Sequence, residues 1–265
     1  MKKKIALIQM DVKVGKMEEN YAHAEALMTE AMKESPDILV LPETLNTGFF
    51  PQPAEALAEA ADPDGKETQS LFGAFAKKYG VHIVAGSAAV LGGGKVYNRS
   101  YVFDRAGAVI ASYDKVHGFS PMGETEYFTG GDHPVHFKLD GIPCSMAVCY
   151  DIRFPEWIRT ETLCGVDLFF LPAAWPLVRK EHWVTLAKAR AIENQMYFCA
   201  VNECGLAGAT KFGGHSLLLS PWGEEICHLG ESEEIQTGEI DLDVIRGIRE
   251  GINVFRDRRP ELYHM

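Results

Sequence analysis

The chain begins with the apolar run Ile5-Ala6-Leu7-Ile8, closed by Gln9, and then places Met17, Tyr21, Ala24, Leu27, Met28 and Met32 at three- and four-residue steps. The first pattern predicts a strand and the second an amphipathic helix with one apolar stripe. Residues 37–41 predict a buried strand. Residues 68–79 predict a helix carrying Leu71, Phe72, Phe75 and Ala76 on one face, with Gly80 at its end leading into a strand over 81–85. The pattern then turns hairpin-like: Gly92-Gly93-Gly94 precedes a strand over 96–103, Arg105-Ala106-Gly107 makes a turn, and 108–113 alternates toward Lys115. Strands follow over 142–148, 167–171 and 197–201, with helices over 155–164 and 181–194 between them, the latter holding Trp183, Leu186, Ala187 and Ala191 inward. A last hairpin pairs 216–219 with 225–228 about Ser220-Pro221-Trp222-Gly223.

Helices scattered among mixed strands place the chain in the α/β class. Strands apolar on both faces suit two sheets packed together with helices outside. No repeat, low-complexity tract or linker divides the sequence, so a single domain over 1–265 is expected. The segment Asn253-Val254-Phe255-Arg256-Asp257-Arg258-Arg259-Pro260-Glu261-Leu262-Tyr263 is too aromatic and apolar for a disordered tail.

With 265 residues, 46% hydrophobic and 24% charged, the composition is that of a globular protein with a substantial core. No window reaches the roughly 18 uninterrupted apolar residues that a membrane helix needs. The basic start Lys2-Lys3-Lys4 is followed by an apolar run broken at Gln9 and Asp11, too short for a signal-peptide core, and a cytoplasmic location is expected. The net charge of −11 and the scattered lysines and arginines argue against nucleic-acid or anionic-membrane partners. Six cysteines, at 144, 149, 164, 199, 204 and 227, form no C-x-x-C pair, and five of them, all but Cys149, read as reduced small hydrophobes. Neither a nucleotide fingerprint, a phosphate loop nor a metal-ligand cluster is visible, so no cofactor and no metal are expected.

Three residues, each after a strand-length apolar stretch, carry the candidate chemistry: Glu43 in Leu-Val-Leu-Pro-Glu, Lys115 in Ser-Tyr-Asp-Lys-Val-His and Cys149 in Met-Ala-Val-Cys-Tyr-Asp. A sheet presents such strand ends along one edge. Cysteine is commonly a buried core residue. Here, however, an apolar strand ends at Val148, the chain turns at Tyr150-Asp151, and Pro155 suits the first turn of a helix, the elbow that displays a nucleophile. A nearby helix N-terminus is expected to lower the thiol pKa below its usual value of about 8.5. Glu43 is either a surface charge or a partly desolvated acid/base, and Lys115 either a solvated strand-end lysine or a cation for a thiolate and an oxyanion. Arg153, four residues past Cys149, suits a bidentate grip on a carboxylate, or else an ion pair with Glu156 or Asp151. His117, two residues from Lys115, offers a rival base for a Cys–His peptidase, a reading that leaves Glu43 and Lys115 without a task.

Read together, the ordered stretches Pro42-Glu43, Asp114-Lys115-Val116-His117, Gly123-Glu124-Thr125-Glu126-Tyr127-Phe128 and Cys149-Tyr150-Asp151-Ile152-Arg153-Phe154-Pro155-Glu156 resemble the carbon–nitrogen hydrolase (nitrilase) superfamily. The likeness continues through Ala189-Arg190-Ala191-Ile192-Glu193-Asn194, Gly214-His215-Ser216 and Pro221-Trp222-Gly223-Glu224, covering essentially the whole chain. It implies a four-layer α-β-β-α sandwich and hydrolysis of a non-peptide C–N bond by a Glu43–Lys115–Cys149 triad, with Glu124 as an additional glutamate beside it. The Cys-Tyr-Asp-x-Arg-Phe-Pro pattern is similar to the omega-amidase branch, which implies a small-molecule amide of a 2-oxo or dicarboxylic acid, a carboxylate contact from Arg153, and Tyr150 and Trp175 near the pocket. The same triad serves N-carbamoyl amine hydrolases and nitrilases, and a catalytically silent binding module is the non-enzymatic alternative. Resemblance also implies a homodimer with the tail, about 250–265, at the interface.

Overall fold

The computed structural model describes residues 1–49 and 54–263. The apolar run at the start forms the strand Lys2–Gln9, and its period of two sends alternate residues to two different layers. Ile5 and Leu7 face a second sheet, while Ala6 and Ile8 face helices. This strand lies between Glu234–Asp241, antiparallel, and Ile38–Val40, parallel. The sheet then runs through His82–Val84, Lys95–Phe103, Ala88–Gly92 and Asp62–Pro63, with Val109–Asp114 also pairing to Lys95–Phe103.

The second sheet has the order Glu225–His228, Leu217–Leu219, Tyr197–Asn202, Leu168–Ala173, Ile142–Met146, His136–Leu139. Its three central strands, Ile142–Met146, Leu168–Ala173 and Tyr197–Asn202, are parallel to one another and almost wholly apolar, as strands covered on both faces must be. Helices Met17–Ala31 and Lys66–Tyr79 cover the first sheet through Ala24, Met28, Phe72 and Phe75. Helices Pro155–Thr162 and Lys180–Asn194 cover the second through Ile158, Trp183, Ala187 and Ala191. The result is the expected α-β-β-α sandwich.

The predicted helices and most strands agree with the structure to within a few residues. Several segments carry elements that the sequence pattern did not announce, among them helix Ala54–Ala60, strands Asp62–Pro63 and His136–Leu139, strand Glu234–Asp241 and helix Asp243–Gly251. The last two occupy the stretch between the final predicted hairpin and the tail, where no element was expected. In strand Glu234–Asp241, Gly238 sits directly against the second sheet: a Cβ there would meet Cys227 Sγ at 2.6 Å and Leu218 Cδ2 at 2.9 Å. Residues 264–265 of the tail lie outside the described residues. No helix among the described residues is long and apolar enough to cross a membrane.

Candidate active site

The site forms where the two sheets share an end. Strand Ile38–Val40 runs out through Leu41 and Pro42 to Glu43, whose side chain is wholly buried. Strand Val109–Asp114 ends at Lys115, strand Ile142–Met146 leads to Cys149, and strand Leu168–Ala173 leads to Ala174 and Trp175. Glu43 spans the two sheets, because its Oε2 accepts the Ala174 N–H at 2.8 Å while its own N–H donates to the Ala173 carbonyl at 3.4 Å.

Glu43 Oε1 also accepts from Lys115 Nζ at 2.9 Å and from Asn98 Nδ2 at 2.8 Å. Lys115 Nζ donates in addition to both oxygens of Glu124, at 2.8 and 2.7 Å. Glu124 is itself fixed by Gly123, whose φ of +70° turns the chain into the short helix Glu124–Tyr127, and by the Phe119 N–H, 2.6 Å from Oε2. Burial disfavours the ammonium, but the two carboxylates outweigh it and hold Lys115 above the ordinary lysine range. For Glu43, burial pushes the pKa up, Lys115 pulls it down and the Glu124 charge pushes it up again, for a net rise.

Cys149 opens a 3-10 turn, Cys149–Arg153, with φ +48°, a left-handed conformation uncommon for a residue with a side chain. Asp151 braces that turn. Its Oδ2 accepts the Val148 N–H at 2.9 Å and the Tyr113 hydroxyl at 2.8 Å, and its Oδ1 accepts the His117 N–H at 2.9 Å. The expected acidic thiol is not found. Burial first, and the neighbouring Glu43 charge second, push the Cys149 pKa well above its usual value, with Lys115 opposing them. A dipole argument along the local chain omitted both opposing causes, which arrive from other strands.

Cys149 sits in a cleft of about 380 Å³, counting its mouth, whose lining includes Tyr150, Arg153, Trp175 and Arg179. The sequence candidates Tyr150, Arg153 and Trp175 therefore share one cavity with the thiol. Arg153 makes no ion pair with Asp151 or Glu156; its guanidinium lies 4.6 Å from the Trp175 ring centroid and 3.2 Å from His182 Nδ1. Trp175 is also a packing residue, 3% exposed, with Nε1 donating to the Arg179 carbonyl at 2.8 Å. His117 is occupied elsewhere: Nδ1 lies 2.7 Å from Asp151 Oδ1 and the ring stacks on Phe154 at 3.8 Å.

Three contributors escaped the sequence reading. Asn98 donates to Glu43 and, at 3.3 Å, to Glu124, and its signal was the inward register it shares with Val96 and Ser100 in Lys95–Phe103. Arg179 faces the cleft from the turn after Pro176. Glu203, at the end of Tyr197–Asn202, is 1% exposed, and burial together with the Glu43 and Asp11 charges holds its carboxyl far above the normal range.

Comparison with known proteins adds to this geometry. The family model described as carbon–nitrogen hydrolase matches residues 4–250. A 2-oxoglutaramate amidase of Bacillus subtilis (strain 168) is 44% identical over 263 residues, covering 99% of this chain and 100% of that protein. An omega-amidase of Homo sapiens is 31% identical over 273 residues, 98% of this chain and 96% of its own. Among solved structures, an amidase from Nesterenkonia sp. AN1 carrying the acetamide moiety of fluoroacetamide covalently added at its active-site cysteine superposes with a TM-score of 0.85. It is 25% identical and covers 98% of this chain and 95% of its own.

Proposed function

The chain belongs to the carbon–nitrogen hydrolase family, and from that premise we propose that it is an omega-amidase: it cleaves the terminal amide of a short 2-oxo or dicarboxylic acid monoamide, such as 2-oxoglutaramate, to the carboxylate and ammonia. The observation that carries this reading is the juxtaposition of the buried Glu43–Lys115–Glu124 cluster with Cys149 at the floor of a cleft lined by Arg153.

In the mechanism we propose, Glu43 removes the Cys149 proton and the thiolate attacks the amide carbonyl. A thiol held neutral by burial needs such a base beside it. Lys115 and the Tyr150 N–H stabilise the oxyanion of the tetrahedral intermediate. Its collapse breaks the C–N bond, and Glu43 returns the proton to the departing ammonia. Glu43 then takes a proton from water, hydroxide attacks the thioester, and the acid leaves as the C–S bond breaks and Cys149 is reprotonated. Glu124 holds Lys115 in place, Arg153 pairs with the substrate carboxylate, and Trp175 supports the Arg153 guanidinium. An N-carbamoyl amine hydrolase or a nitrilase uses the same groups; the cleft-lining Arg153 favours an acid amide over either.

Ammonia release from 2-oxoglutaramate, from neutral amides, from carbamoyl amines and from nitriles, with Cys149→Ala beside the wild type, tests the assignment. Turnover of the oxo-acid amide that disappears in Cys149→Ala is expected. Preference for another member of that panel reassigns the substrate, and turnover that survives in Cys149→Ala removes the thioester.

The whole chain, 1–265, acts in this reading as one domain, and its tail closes a homodimer. In support, Phe255 lies 5.4 Å from the guanidiniums of both Arg159 and Arg249, while Leu262 and Tyr263 remain 55% and 48% exposed. Sedimentation as a monomer at assay concentration removes the dimer. Six unpaired thiols suit a reducing cytoplasm.

A further inference from the structure

Two guanidinium groups line the cleft above Cys149, and neither meets an acid among the described residues. Arg153 lies over the Trp175 ring, and Arg179 lies over the Phe119 ring at 5.1 Å from its centroid. The chain is not short of partners for them, since Asp and Glu number 37 against 26 Lys and Arg. Most of the remaining wall is apolar and aromatic, including Phe49, Met122 and Phe212. Two like charges in a half-buried cleft repel, and the Arg179 charge, after burial, lowers the Arg153 pKa. An anion between them removes that repulsion.

We propose that Arg179 is a second specificity-determining residue, which together with Arg153 binds the carboxylate of the substrate and makes the cleft select monoamides of short dicarboxylic acids over neutral amides of similar length. This rests on the amidase reading of the same site. A carboxylate offers about four acceptor positions on two oxygens, enough for a guanidinium on each. Each guanidinium lies against an aromatic face, so its planar fork is held before the ligand arrives. The chain path is independent of the Arg179 side chain, because Trp175 Nε1 bonds to the Arg179 backbone carbonyl. A substitution of that side chain therefore leaves the Trp175 anchor in place.

The test measures ammonia release from succinamate and from butyramide, a neutral amide of the same carbon number, in wild type, Arg153→Met, Arg179→Met and Arg179→Lys. Loss of a charged hydrogen bond is expected to raise the KM for succinamate by about 10–100-fold in Arg179→Met, with kcat nearly unchanged and butyramide unaffected. Arg179→Lys, which keeps the charge without the fork, falls between. An equal loss on both amides, or an unchanged KM for succinamate, overturns the proposal. If Arg153→Met raises the succinamate KM and Arg179→Met does not, only the role of Arg179 fails. If the wild type hydrolyses butyramide but no carboxylate-bearing amide, the omega-amidase reading fails and the proposal with it.

Discussion

Lys115 is gripped by both carboxylate oxygens of Glu124, at 2.8 and 2.7 Å, while the same ammonium donates to Glu43 at 2.9 Å. One cation thus serves two buried carboxylates, and this cluster of two acids and one ammonium depends on that cation for its integrity. Lys115→Met leaves both acids uncompensated in a region nearly closed to solvent. Breaking a buried pair from one side costs about 3–5 kcal/mol of stability, and loss of an oxyanion donor costs on the order of 10²–10³ in turnover. Thermal unfolding and ammonia release on the purified variant check both figures. Near-normal turnover in Lys115→Met removes the proposed oxyanion role.

The pH profile should follow the same electrostatics. Glu43 must be ionised to act as a base, so kcat/KM falls as acid protonates it, from a pKa already raised by burial. The Glu124 charge contributes to that rise. In Glu124→Gln the like charge is gone and Lys115 has one fewer acid to serve, and both changes favour ionised Glu43. The acidic limb of kcat/KM is therefore expected to move to lower pH in the residual activity of this variant. A limb that moves upward, or not at all, separates Glu43 from the rate-controlling ionisation.

Asp151 predicts a different kind of failure, because it touches the backbone that shapes Cys149 rather than the thiol. Its carboxylate is wholly buried and accepts from Val148, Tyr113 and His117. Asp151→Ala leaves those donors unpaired, at about 1–3 kcal/mol each where water cannot reach them, and frees the φ +48° turn at Cys149. A loss of turnover larger than that of Tyr113→Phe, which removes one hydroxyl and keeps the brace, is expected. Equal activity in Asp151→Ala and Tyr113→Phe shows that the elbow holds its shape without the carboxylate.

Glu43 and Cys149 were legible because each follows a strand whose apolar run is strong and which runs parallel to a neighbour in its own sheet, whereas Lys115 was legible only as the end of an alternating strand, antiparallel to Lys95–Phe103. Long-range partners were not legible. Asp151 was visible beside Cys149, but as an ion-pair partner for Arg153, since nothing local announces that Val148, Tyr113 and His117 converge on it. The thiol pKa failed for the same reason: the helix start is local, whereas burial, the larger cause, and the Glu43 charge after it come from the packing of the two sheets around Cys149. In 234–241 the alternation of polar residues and Gly238 hid a strand whose glycine is required by Cys227 across the sheet interface. The helix Asp243–Gly251 did carry a signal, Leu242, Ile245 and Ile248 at three-residue steps, masked by the charged residues between them.

Glu203 gives a prediction about stability that does not depend on turnover. Its carboxyl is buried, its Oε2 has no hydrogen-bond partner among the described residues, and Glu43 and Asp11 add negative charge nearby, so the folded state holds its proton far above the usual carboxylate range. The unfolded chain releases that proton near pH 4.3, about the value for a free glutamate. Above this pH the native state binds more protons than the unfolded one, so this group makes stability fall as pH rises, until its folded pKa is passed. Glu203→Gln is similar in shape and carries no titrating proton, so it abolishes that slope whatever fixed cost the amide brings. The difference in Tm, variant minus wild type, is expected to grow steadily more positive from pH 5 to pH 8. A difference that stays constant across that range means that Glu203 is already ionised in the folded protein, and that some neighbour compensates a second buried charge behind Glu43.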